Sequence, residues 1–161
     1  MEKELDYQIL ADGPVTKYYS IELLDQHQNW FSEHGYQIYC FDAKTWYSRD
    51  NFYSDIHDGF EFPEYFGRNW DAFNDCISDM VSENGKVLVV IKNFDRWHQE
   101  DLSSAMLFLN YMVHQTYQFL LEGKRWITLI QSNTPSLDVS DAGAMPVYWN
   151  RKEWMNKDRG L

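Results

Sequence analysis

Asp71, Asp75 and Asp79 recur every fourth residue in a stretch that otherwise reads as an amphipathic helix. That spacing stacks side chains along one helical face, with about 6 Å of rise between successive carboxylates. Like charges placed this way repel by roughly a few tenths of a kcal/mol per pair. Asp71 recovers part of that in the first helical turn, whereas Asp79, near the C-terminal end, is opposed by the helix dipole. The face is a mild liability alone. It can be an ordinary solvated surface, a hold for magnesium or manganese, or a copy of a nucleic-acid backbone that docks on a basic protein. Asn69, Asn74 and Ser78 add neutral hydrogen-bonding groups beside it. Tyr65 and Phe66 precede it, and Gly67 lets the chain approach another surface closely. Helical phase assigns Phe66, Trp70 and Phe73 to the core rather than to a contact.

Other catalytic signatures are missing. The chain has no glycine-rich phosphate loop, no His-Glu-x-x-His, no Gly-x-Ser-x-Gly and no calcium-loop pattern. His27, His34, His57, His98 and His114 are scattered, with no pair at i and i+4. A metal-dependent hydrolase would have to combine Asp71 and Asp75 with His57 or His98. Cys40 and Cys76 belong to no Cys-x-x-Cys or Cys/His cluster and read as reduced core residues. No cofactor is implied.

The elements that position the ladder read as alternating strands and helices. Ser20 can cap a helix from Ile21 to about His34, with Gly35 at its end. Tyr36 to Phe41 is a short β-rich run, and Phe52, Tyr53 and Ile56 resume helical spacing before Gly59. Asn69 is a good N-cap for a helix whose apolar face is Trp70, Phe73, Ile77 and Met80 or Val81, ended by Asn84-Gly85. Lys86 to Ile91 and Trp126 to Ile130 are strands buried on both faces, with a long helix from Glu100 to Leu121 between them. Asp12-Gly13-Pro14 is a turn signal between β-compatible Tyr7 to Leu10 and Val15 to Tyr19. The expectation is an α/β fold, a small parallel sheet with packed helices. Residues 1–35 read as an N-terminal extension holding a hairpin and a helix, 36–131 as the central domain, and 132–161 as a peripheral tail docked through Trp149 and Trp154.

A chain of 161 residues fits one domain with a substantial core. Its net charge of −11 opposes direct binding to nucleic acid or an anionic membrane and makes basic proteins the natural partners. No basic-then-apolar start is visible, and the longest aliphatic run, Val87 to Ile91, is far short of the roughly 20 residues that span a bilayer. A cytoplasmic protein is expected.

The run from Phe62 to Cys76, Phe-Pro-Glu-Tyr-Phe-Gly-Arg-Asn-Trp-Asp-Ala-Phe-Asn-Asp-Cys, resembles the signature of the barstar family of intracellular ribonuclease inhibitors. The likeness extends back to the Cys40–Phe41 strand and more loosely forward to the strand ending at Ile130. It implies a three-stranded parallel sheet with helices, in two or three layers, no enzymatic activity, and inhibition by occlusion. In the family, the motif helix and preceding loop plug the nuclease active site, and one helix aspartate replaces a substrate phosphate. By motif position that aspartate is Asp75, with Asp71 one turn earlier and Tyr65 on the loop. Together with the groups that sequence and spacing set beside these three, the expected partner-binding set is Tyr65, Gly67, Asn69, Asp71, Asn74, Asp75, Ser78 and Asp79, of which Asp79 rests on spacing alone. The implied partner is a basic ribonuclease toxin, bound by the monomer as a 1:1 heterodimer with this chain as immunity protein or antitoxin. Asn74 stands where the family has tryptophan, Met80 where it has an aromatic, and an acidic contact on the last helix falls near uncharged Gln118. Those departures point to a ribonuclease other than barnase. The alternative is a regulatory or scaffold module that binds a basic protein other than a nuclease.

Overall fold

The structure, a computed structural model, describes residues 4–64, 66–80, 85–143 and 145–159. Strands β1 (Val15–Tyr18), β2 (Gln37–Asp42), β3 (Lys86–Lys92), β4 (Arg125–Gln131) and β5 (Tyr148–Trp149) form one sheet in the order β2-β3-β4-β1-β5. All four neighbouring pairs are parallel. On β3, Val87, Val89 and Ile91 enter one apolar core while Leu88 and Val90 enter another, the two-sided burial its unbroken aliphatic run predicts. Helices α1 (Leu5–Asp12) and α2 (Ile21–Glu33) cover one face. Helices α3 (Arg49–Phe60), α4 (Trp70–Ser78), α5 (Phe94–Glu100) and α6 (Leu102–Leu121) cover the other, so the architecture has three layers.

The sheet has five strands, not the three implied by the family resemblance. Val15 to Tyr18 pairs with Thr128 to Gln131, so β1 occupies the free edge of β4, and β5 then pairs with β1. The expected N-terminal hairpin does not form either. Tyr7 to Leu10 is helical, because Leu5 and Ile9, four residues apart, bury the same face of α1. The long helix expected from about Glu100 to Leu121 forms as α6 from Leu102, and the short α5, which the sequence did not signal, ends just before it. Asp101 separates them, its carboxylate accepting from the Ser104 N–H at 3.2 Å as the cap of α6.

Aromatic rings fill the larger core. Phe52 lies among Trp46, Tyr53, Trp70, Phe73, Trp97 and Phe108, at centroid separations of 4.9 to 6.2 Å. Gly59 lets α3 cross β2 closely, since a Cβ there would lie 2.1 Å from the Phe41 ring. Neither cysteine is a core residue: Cys40 is exposed on edge strand β2, and Cys76 is half-buried. Both are free thiols.

The C-terminal segment is fastened by polar groups more than by its tryptophans. Trp149 receives the Lys17 ammonium 4.7 Å and the Arg159 guanidinium 4.1 Å from its ring, but Trp154 is 58% exposed. Glu153 is fully buried. Its carboxylate accepts from the backbone N–H groups of Tyr19 and Ser20, the latter at 2.7 Å, and from Asn156 Nδ2 at 2.9 Å. Among the described residues no helix is long and apolar enough to cross a membrane.

Candidate protein-binding surface

Helix α4 follows a loop whose two ends carry left-handed residues. Helix α3 ends where Glu61 adopts a left-handed conformation (φ 58°), closing its last turn through the Glu61 N–H to His57 carbonyl bond. The second left-handed residue is Arg68 (φ 49°), whose guanidinium donates to the Ser54 hydroxyl at 3.2 Å. Asn69 then caps α4. Its side-chain oxygen accepts from the Ala72 N–H at 2.8 Å, and its Nδ2 donates to the Gly67 carbonyl at 3.1 Å.

The buried face of α4 fixes where its charges point. Phe73 and Ile77 are fully buried, and Trp70 is half-buried with its ring stacked on Tyr111 at 5.6 Å. Asp71, Asp75 and Asp79 consequently face solvent. Among the described residues no ion pair engages any of them. Asn74 and Ser78 are turned to α6 instead. The buried Gln115 donates from Nε2 to Asn74 Oδ1 and to Ser78 Oγ, each at 2.9 Å, and the Ser78 hydroxyl donates to the Asn74 carbonyl. These two residues join helices as well as flanking the acidic face. Tyr65, Val81 and Asn84 lie outside the described residues.

Asp75 and Asp79 also line an open groove of about 400 Å³ between α4 and the loop before it. Phe60, Phe62, Pro63, Phe66 and Met80 form its apolar wall, and Glu61, Gly67, Ala72 and Cys76 complete it. Burial pushes the Cys76 thiol pKa up, and the nearby charges of Asp79 and Asp75 push it further. Glu61, Cys76 and Met80 escaped the sequence reading of the site, as did Gln115. Gln115 carried a signal, because it continues the core phase of Ala105, Phe108 and Met112 along α6. Glu61 carried none, since only the reversal after α3 brings it to the groove.

The metal arrangement is not formed: among the described residues no group of three or more His, Cys, Asp and Glu side chains could hold an ion. His57 lies flat against Phe66 with Nδ1 3.2 Å from Asp58 Oδ1. Burial lowers the His98 pKa against the opposing charges of Asp138 and Asp95.

Fold and surface together define an acidic parallel α/β protein that displays carboxylates on one short capped helix. Residues 36–123, more than half of the chain, match the family described as Barstar (barnase inhibitor). The chain therefore belongs to the barstar family, a family of inhibitors rather than enzymes. The match contains β2, β3, α3 to α6 and the whole acidic surface, whereas α1, β1, α2, β4 and β5 fall outside it. None of the curated proteins compared with this chain matches it.

Proposed function

We propose that this protein inhibits a basic ribonuclease, occluding its active site with α4 and the loop before it, and serves as the immunity protein or antitoxin to that nuclease. The observation that carries this reading is the outward face of α4. Asp71, Asp75 and Asp79 are exposed, lack ion-pair partners among the described residues, and lie inside the family match. Exposed like charges four residues apart destabilise a helix slightly, so a cationic partner gains by meeting them.

Asp75 is the central anchor. A carboxylate desolvated against guanidinium and imidazolium donors forms short charge-assisted hydrogen bonds. Asp71 supports it from one turn earlier, with Gly67 and Asn69 beside it, and Tyr65 joins the contact by its motif position alone. Asn74 and Ser78 contribute by holding α4 on α6, and Asp79 extends the charged face. The net charge of −11 steers a basic nuclease toward the complex, so association slows as salt rises.

Titrating the purified chain into ribonucleases of the barnase type and into a panel of other secreted ribonucleases, with RNA hydrolysis as readout, tests the reading. Loss of turnover at one inhibitor per nuclease is expected for at least one of them. If a basic protein captured by the chain cleaves no RNA and no ribonuclease is inhibited, the reading gives way to a regulatory module for a different basic partner.

A further inference from the structure

The groove beside α4 combines two chemistries in one recess. Phe60, Phe62 and Met80 give it an apolar wall, and the carboxylates of Glu61, Asp75 and Asp79 are set around that wall. Among the described residues none of the three carboxylates is in an ion pair. Its size, about 400 Å³, is ample for one long side chain. The two left-handed residues, Glu61 and Arg68, bracket the loop that forms one wall.

We propose that the groove seats one arginine side chain of the partner, its methylenes on the apolar wall and its guanidinium between Asp79 and Glu61. The proposal rests on the reading of α4 as the binding surface and adds a specificity determinant to it. Asp75 is shared between groove and helix face, whereas Glu61 and Asp79 are the groove's own charges. Arginine fits better than lysine on physical grounds. A guanidinium is planar and weakly hydrated, forks across carboxylates and packs on aromatic rings, while an ammonium is compact and strongly hydrated. A partner without an arginine at this point of its rim would leave carboxylates facing an apolar recess unpaired, so the groove selects among basic partners.

The test uses the full chain and small probes, followed in ¹H–¹⁵N spectra. Nα-acetyl-arginine amide should shift the amides of Glu61, Ala72, Cys76 and Asp79 and bind at least about fivefold more tightly than the uncharged, near-isosteric Nα-acetyl-citrulline amide. The double variant Glu61→Gln, Asp79→Asn should lose that preference. Equal binding of citrulline, equal binding of Nα-acetyl-lysine amide, shifts confined to another surface, or an unchanged preference in the double variant would each overturn the proposal. A nuclease inhibited equally well by the double variant also overturns it while leaving inhibition standing. Failure to inhibit any ribonuclease removes the broader function, yet the arginine titration still reads the groove.

Discussion

Two sets of carboxylates in this chain meet opposite fates. Glu153 is completely buried at the start of α2, where two backbone N–H groups and Asn156 satisfy it. Around it, Asn150 Nδ2 donates to the Tyr18 hydroxyl at 3.0 Å, and that hydroxyl is also hydrogen-bonded to His27 Nδ1 at 2.7 Å. Asp71, Asp75 and Asp79 are exposed on α4, without ion-pair partners among the described residues. A buried carboxylate persists only where the fold supplies its donors. An exposed ladder makes no ion pair among the described residues and is free to meet a partner. Charge used internally belongs to the fold here, and charge left unused is what the proposed binding surface offers a partner.

The sharpest way to break that contrast is to delete one carboxylate from each set. Glu153→Ala removes the acceptor for the N–H groups of Tyr19 and Ser20 and leaves them part-buried and unpaired, a loss of about 3 kcal/mol of folding stability. Asp75→Ala should change stability by no more than about 0.5 kcal/mol. Urea denaturation of both variants checks the pair. Equal losses would abolish the distinction between the two sets.

The reverse effect is expected on binding. Asp75→Ala should weaken the complex with the cognate ribonuclease by about 2 kcal/mol or more, roughly 30-fold in Kd, as truncation of a central desolvated anchor does. Glu153→Gln, where it folds, should bind as the parent does. Inhibition titrations under one salt concentration separate the outcomes, and an unaffected Asp75→Ala would remove Asp75 from the mechanism.

The two regions also differed in how much the sequence disclosed. Helix α4 was legible because its signals are local: Asn69 before an apolar phase of Trp70, Phe73 and Ile77, with acids at the complementary positions. Strands β3 and β4 were legible as aliphatic runs bounded by turns. The clasp around Glu153 was not. Its members, Tyr18 and His27 on one side and Asn150 and Glu153 on the other, come from two stretches at opposite ends of the chain, and nothing short-range marks Glu153 as buried rather than solvated. Strand β5 has only two residues, too few for any period, and the four-residue window at Tyr7 to Leu10 cannot separate strand from helix. In the groove, Cys76 and Met80 follow from the phase of α4, but Glu61 faces them only through the left-handed turn after α3.

Alkaline pH probes the buried set through Tyr18. Burial raises its pKa far above the ordinary 10.0, the Asn150 hydrogen bond opposes that shift, and the charge of Glu153 adds to it. A raised folded-state pKa contributes stability that is complete below the unfolded value and is lost as pH climbs toward the folded one. Above pH 10 the unfolded chain therefore releases a proton that the folded chain keeps, a slope of about 1.4 kcal/mol per pH unit for this one group. Tyr18→Phe should be less stable near neutrality by about 1 kcal/mol, yet lose stability less steeply above pH 10. Parallel denaturation midpoints for parent and variant across pH 9 to 11.5 would show that Tyr18 is not held protonated by its burial.

The smallest effect discriminates most finely, because its two parts have opposite signs. Asp79 follows the last helical residue of α4, where the dipole disfavours an anion, and it stands four residues beyond Asp75. Asp79→Asn should relieve both interactions and raise stability by about 0.3 kcal/mol. The same change removes one charge from the face and groove that meet the partner, so association at low salt should slow, and the difference should fade near 1 M salt as screening erases long-range steering. A residue that loses binding while gaining stability is retained for what it meets outside the chain. If Asp79→Asn instead destabilised the fold and left association unchanged, Asp79 would belong with Glu153 among the internally used charges.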